Sequence, residues 1–270
     1  MYEQAYNHVE YRLSEMEHHY GPHVHLLADP VLLTQLARLC QDTTHQPDIT
    51  WLVRDLYESL VRVVIANELP QRQREIQTRM HQTTPRGVWC GATLAAKTRV
   101  VTVNIARAGT LPSQIAFEAL TRLLNPQNVR QDHLYMNRVT NAQGEVTGVN
   151  MSGSKIGGDV DHTIVLFPDP MGATGGSLSR ATNLYRQLEG GSPMKLITLS
   201  LIVTPEFIRR MSTENPDVII YAIRLDRGTS DAALFKTALG ESPDESGLDE
   251  HQYIVPGAGG LGEILNNSYV

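Results

Sequence analysis

Apolar positions recur along this chain at two periods, and the change between them divides it. In the first third the spacing is three and four, which is helical. Tyr2, Tyr6, Val9, Leu13 and Met16 predict a short amphipathic helix over residues 2–17. Asp29-Pro30 reads as a cap followed by proline at the first helical position, with Leu32, Leu33, Leu36, Leu39 and Cys40 as the apolar face. A second helix is predicted from Ile49 to Asn67, its stripe formed by Trp51, Leu52, Leu56, Leu60, Val63 and Val64 and its end marked by Leu69-Pro70. The polar, Gln- and Arg-rich stretch 71–85 reads as a surface connection.

From Arg99 onward the pattern becomes short apolar runs separated by helical segments. Strands are predicted at Val100–Ile105, His133–Arg138, His162–Phe167, Met194–Val203 and Asp217–Ile223, with helices at Pro112–Leu124, Gly176–Leu188 and Thr204–Asn215. Met194–Val203 is long, apolar and β-branched, as in a strand buried on both faces. The alternation predicts an α/β fold, a mainly parallel central sheet with helices on both faces.

Composition narrows the function. The 270 residues are 41% hydrophobic and 19% charged, with 23 basic against 29 acidic side chains and a net charge of -6. The sequence pI is about 5.9. No general attraction to nucleic acid or to an anionic membrane is expected, so any phosphate site must be local. Cys40 and Cys90 are the only cysteines, too few for a disulfide framework, which predicts a reducing, cytoplasmic setting. Met1–Tyr20 is polar and no apolar run approaches the length of a spanning helix. His18, His19, His23 and His25 raise a metal site. They read instead as a polar linker, since no Cys, Asp or Glu falls at ligand spacing and Gly21-Pro22 breaks any helix that would present two imidazoles together.

The informative stretch is Asp169-Pro170-Met171-Gly172-Ala173-Thr174-Gly175-Gly176-Ser177, between a predicted strand and a predicted helix. Its glycines allow close approach of a ligand, the helix-opening amides point outward unpaired, and the Thr174 and Ser177 hydroxyls add donors for phosphate oxygens. Asp169, at the strand exit, would face the sugar carrying that phosphate. This loop closely resembles the phosphoribosyl pyrophosphate loop of type I phosphoribosyltransferases, and its Asp-Pro-Met-x-Ala-Thr-Gly-Gly-Ser form is similar to that of uracil phosphoribosyltransferases. A second stretch, Gly247-Leu248-Asp249-Glu250-His251-Gln252-Tyr253-Ile254-Val255-Pro256-Gly257, resembles the family's hood over the base.

The resemblance covers about residues 25–265 and implies a type I phosphoribosyltransferase fold: an N-terminal helical segment, the central sheet, a flexible flap at about 140–161 and a hood at about 247–265. Residues 1–24, an N-terminal helical extension, and an insertion at about 227–246 have no counterpart; residues 25–270 form a single domain. It implies transfer of the 5-phosphoribosyl group from phosphoribosyl pyrophosphate to uracil, giving UMP and pyrophosphate, with Mg2+ carried by the pyrophosphate rather than by a protein metal site. Arg107, Ala108 and Gly109 correspond to the pyrophosphate loop and Arg138 to a second arginine. Asp169 would hold ribose hydroxyls and residues 170–177 the 5-phosphate; Arg107, Arg138 and Asp169 would be catalytic. Ile254, Gly259, Gly260 and Leu261 would read the base, largely through backbone groups. The hood departs from the family pattern where Gly260 replaces an aspartate and Ile264 an arginine; Glu263 keeps the second acid. Restoring aspartate at 260 is expected to raise activity with uracil. Two alternatives stay open: another acceptor base, or an inactive phosphoribosyl pyrophosphate or nucleotide-binding regulator. The expected partners are small molecules, not nucleic acid or membrane, and the resemblance implies a homodimer.

Overall fold

The computed structural model describes residues 4–140 and 146–269, without the side chains of residues 137–140, 146, 147 and 149. The chain runs through β1 (Val24–Leu26), α1 (Pro30–Leu39) and α2 (Asp48–Glu68), then β2 (Gln71–Gln77) and β3 (Val88–Leu94). Next come β4 (Arg99–Ala106), α3 (Thr110–Leu123), β5 (Val129–Thr140), β6 (Val146–Lys155), β7 (Thr163–Pro168) and β8 (Met171–Gly172). α4 (Gly176–Arg186), β9 (Lys195–Val203), α5 (Pro205–Glu214), β10 (Ile219–Leu225) and the single-turn α6 (Leu261–Ile264) complete it.

The main sheet has the order β1-β10-β9-β7-β4-β5-β6, with β8 also on β9. Its pairs are parallel except β5 with β6. Successive strand residues face opposite sides, so each strand feeds two cores. Val100, Ile164, Leu166, Ile197, Leu199 and Tyr221 pack with α1, α2 and α3. Val101, Val103, Val165, Phe167, Ile220 and Ala222 pack with α4 and α5. This is the predicted arrangement, helices on both faces of a mainly parallel sheet.

Local chemistry explains the helix starts. Asp29 Oδ1 accepts from the N–H groups of Val31 and Leu32, and Pro30 occupies the first turn of α1. Thr204 does the same for α5 by accepting from Phe207 N–H. In α2 the buried stripe runs through Leu52, Val53, Leu56, Tyr57, Leu60, Val61 and Val64. Trp51, expected in that stripe, is 62% exposed, because the face is rotated toward Val53, Tyr57 and Val61.

Two expectations are corrected. The N-terminal extension is not helical among the described residues. Apart from a 3-10 turn at Gln4–Tyr6, it is an extended strap: Met16 N–H donates to Leu26 O (2.8 Å) and Ala28 N–H to Ser14 O (2.9 Å). Of the apolar set, Leu13 packs against the core while Tyr6, Val9 and Met16 are exposed, so the helical spacing has no buried face to serve. Residues 71–85 likewise do more than connect, since β2 and β3 pair as an antiparallel hairpin separate from the main sheet.

The N-terminal extension and the 227–246 segment hold each other. His19 N–H donates to Leu239 O (2.8 Å), and the Tyr20 hydroxyl donates to Glu245, which is buried and paired with Arg227.

Candidate active site

The site forms where adjacent strands β4 and β7 end. After Ala106 the chain turns tightly: Gly109 N–H donates to Ile105 O (3.0 Å) and Thr110 N–H to Arg107 O (3.1 Å), which starts α3. The Ala106–Arg107 peptide is cis. A Cβ at Gly109 would lie 2.9 Å from both Ile105 O and Pro168 O. Glycine therefore lets the Arg107–Gly109 turn press directly on the strand end that leads to Asp169.

Asp169 is set from both sides. Its N–H donates to Leu199 O (3.0 Å), its Oδ1 accepts from Met171 N–H (3.1 Å), and the buried Tyr57 hydroxyl reaches the same Leu199 carbonyl (3.0 Å). Burial pushes the Tyr57 hydroxyl pKa up, and the Asp169 charge adds to the shift, so Tyr57 stays a neutral donor. Gly172 fits because Val203 and Phe207 crowd it; a Cβ there would lie 2.9 Å from Val203 Cγ1. Gly175, at φ +77°, starts α4 with no side-chain cap, and Thr174 Oγ1 accepts from Gly176 N–H at 3.5 Å. The first-turn amides of α4 are thus directed at whatever anion lies in the Thr174–Ser177 turn. Arg210, on α5, donates to Thr174 O (3.4 Å) while its Nε pairs with Glu214 (3.0 Å).

The hood is pinned to the same edge. Gly247 N–H donates to the Glu206 carboxylate (2.9 Å), Val255 N–H to Gly247 O (2.8 Å) and Gly228 N–H to Val255 O (2.9 Å). The Asp226 carboxylate, at the end of β10, accepts from Gly257 N–H (2.8 Å) and from Arg224 Nε (2.6 Å). Burial opposes the Arg224 charge, but the Asp226 pair outweighs it and raises its pKa. α6 then returns to the first loop, where a Cβ at Gly262 would lie 3.3 Å from Ala108 Cβ. Arg107 Nη1 donates to Ser268 O (2.9 Å) and Ser268 Oγ (3.0 Å). Beside that contact is a cavity of about 290 Å³ lined by Asn104, Arg107, Thr110, Gln131, His133 and Asn266 among others.

The structure therefore brings together Arg107, Ala108, Gly109, Asp169 to Ser177 and the hood. Ile254 and Leu261 are buried. Leu261 N–H is already committed to Gly259 O (3.0 Å). Among the described residues the N–H groups of Gly259 and Gly260 have no protein acceptor, so they are free to donate. Arg138 lies on β5 opposite Val149, and its side chain is outside the described residues, as is the 141–145 part of the expected flap. Described flap residues form β6, antiparallel to β5, with Lys155 exposed.

A family model described as uracil phosphoribosyltransferase matches residues 26–246. The chain belongs to this family. A uracil phosphoribosyltransferase of Shouchella clausii is 30% identical over 242 residues, covering 90% of this chain and 97% of that protein. One from Dictyoglomus turgidum is 27% identical over 236 residues, covering 87% and 95%. The solved structure of the AQ2163 protein from Aquifex aeolicus is similar in fold, with a TM-score of 0.69 at 21% identity over 90% of this chain and 97% of that one. The family match takes in the 227–246 segment, expected to be an insertion, and stops at residue 246, so the hood of this uracil phosphoribosyltransferase family member lies beyond it.

Several residues escaped the sequence reading. Asp226 carries the same signal as Asp169, a carboxylate at a strand exit. Tyr57 and Ser268 reach the site across 142 and 161 residues of chain, a separation no local pattern encodes.

Proposed function

We propose that this protein transfers the 5-phosphoribosyl group of phosphoribosyl pyrophosphate to uracil. The observation that carries the reading is convergence: the 107–109 turn, the 169–177 loop and the hood meet at the ends of neighbouring strands, as ligands of open α/β sheets require. In the reaction the ribosyl C1–O bond to the diphosphate breaks and a C1–N bond to the base forms. UMP and pyrophosphate leave, and the base nitrogen gives up its proton.

Arg107 and Arg138 take the diphosphate charge, Asp169 accepts from ribose hydroxyls, and the Thr174–Ser177 turn holds the 5-phosphate with its amides and hydroxyls. The hood amides donate to the base. Closing the 140–161 segment over the site would exclude water, which otherwise captures the cationic ribosyl transition state. Positioning and charge stabilisation then account for the rate, with no side-chain nucleophile.

Among the described residues no group of three or more His, Cys, Asp or Glu side chains is placed to hold a metal ion. On this reading the ion is carried in by the diphosphate. Bound Mg2+ would neutralise the leaving group there. We place the enzyme in the cytoplasm as a homodimer acting on small molecules. Among the described residues no helix is long and apolar enough to cross a membrane.

A second reading, a ligand-binding protein without turnover or a transferase for another base, is favoured by Gly260 and Ile264 in the hood. Pyrophosphate release with uracil and then with cytosine, hypoxanthine and adenine separates them. Release with uracil alone supports the proposal, and release with another base moves the specificity.

A further inference from the structure

Between residues 251 and 270 the sequence holds one acidic side chain, Glu263. It sits in α6, which is fixed on several sides: Gly262 packs on Ala108, Glu263 N–H donates to Gly260 O (2.9 Å) and Ser268 N–H to Glu263 O (3.1 Å). The side chain folds back over Gly260. A Cβ at 260 would lie 2.9 Å from Glu263 Oε2, so the carboxylate fills the volume that any residue-260 side chain would enter. It is half-buried, and among the described residues it has no cation or hydrogen-bond donor. A partly desolvated carboxylate without a donor is unfavourable, and a ligand N–H would relieve it.

We propose that Glu263 is the hood's hydrogen-bond acceptor for the base, supplying from position 263 the carboxylate absent at 260. This rests on the transferase reading above. Beside it the Gly259 and Gly260 N–H groups are donors. Donors next to one acceptor match a ring edge where an N–H adjoins carbonyl oxygens, the imide edge of a pyrimidinedione. Cytosine presents a ring-nitrogen lone pair where uracil has N–H, and would set that lone pair against the carboxylate. Glu263 thus selects uracil over cytosine by repulsion as well as attraction.

The expectation that Gly260→Asp raises activity is revised accordingly. Alone, that substitution sets two carboxylates against each other, and activity falls. The test compares wild type, Glu263→Ala, and Gly260→Asp combined with Glu263→Ala. Steady-state kinetics with uracil would be run alongside calorimetric titration of UMP, each variant first checked for an unchanged melting temperature. Glu263→Ala is expected to raise the KM for uracil about ten-fold, as for a lost charged hydrogen bond. The KM for phosphoribosyl pyrophosphate stays within about two-fold. The double variant, with its carboxylate relocated, recovers most of the uracil affinity. An unchanged KM in Glu263→Ala, or a double variant no better than Glu263→Ala, overturns the assignment. Wild type without turnover would contradict the transferase reading instead, and the UMP titration would still decide Glu263.

Discussion

Arg107 Nη1 donates to both the carbonyl and the hydroxyl oxygen of Ser268, at 2.9 and 3.0 Å. The C-terminal segment therefore holds the guanidinium proposed to meet the diphosphate, and substrate must exchange one set of acceptors for another. Ser268→Ala removes one of the two. It should lower the KM for phosphoribosyl pyrophosphate by about two-fold, the scale of one exposed hydrogen bond. Arg107→Ala should raise it by about ten-fold or more. Initial rates at varied substrate check both, and a KM that rises in Ser268→Ala contradicts the competition.

The Asp169 N–H stays bonded to Leu199 O when the side chain is truncated, although the Oδ1 contact to Met171 N–H is lost, so the variant is first checked for an unchanged melting temperature. Asp169→Ala should weaken UMP binding by about ten-fold or more. Calorimetry reads this directly; unaltered affinity removes Asp169 from the site.

Much of this was legible in the sequence. β4, β7, β9 and β10 are apolar runs of a kind that only a two-faced sheet buries, and the 169–177 and 247–257 stretches are legible through their resemblance to the family's loops. What failed was legibility where packing is one-sided or long-range. Tyr2, Tyr6, Val9, Leu13 and Met16 have helical spacing, yet the described segment lies extended because Leu13 finds a core while Tyr6, Val9 and Met16 do not. β2 alternates Gln and Arg with no apolar face, so nothing in its pattern marks a strand. β1 is three residues long inside a His-rich stretch, and its partner, β10, lies about 200 residues away. In the site, Glu263 could be read as an acid, but that it lies over Gly260 follows only from the turn of α6.

Gly172 tests the packing of the phosphate loop. Val203 and Phe207, both fully buried, close on it, and an added Cβ would stand 2.9 and 3.1 Å from them. Gly172→Val should cost about 1–3 kcal/mol of stability, as overpacked cores do. A urea midpoint equal to wild type would show that the loop yields instead.

Glu68 links folding to pH. It is buried at 8% exposure and accepts from Lys195 (2.8 Å) and Tyr221 (2.5 Å). Burial pushes its pKa up, but these donors outweigh it and leave the carboxyl below its ordinary 4.5. A depressed carboxyl stabilises the fold above its unfolded value and loses that contribution as pH falls through the folded one. Wild type should therefore lose stability on acidification through that window, and Glu68→Gln should be less stable at neutral pH with a flatter acid limb. Parallel acid limbs in thermal melts would remove Glu68 from the linkage.

The central claim is tested most directly by incubating the full chain with labelled uracil, phosphoribosyl pyrophosphate and Mg2+ and separating the products. The account predicts labelled UMP and pyrophosphate in equal amounts. Phosphoribosyl pyrophosphate that binds while the label stays in free uracil would contradict it.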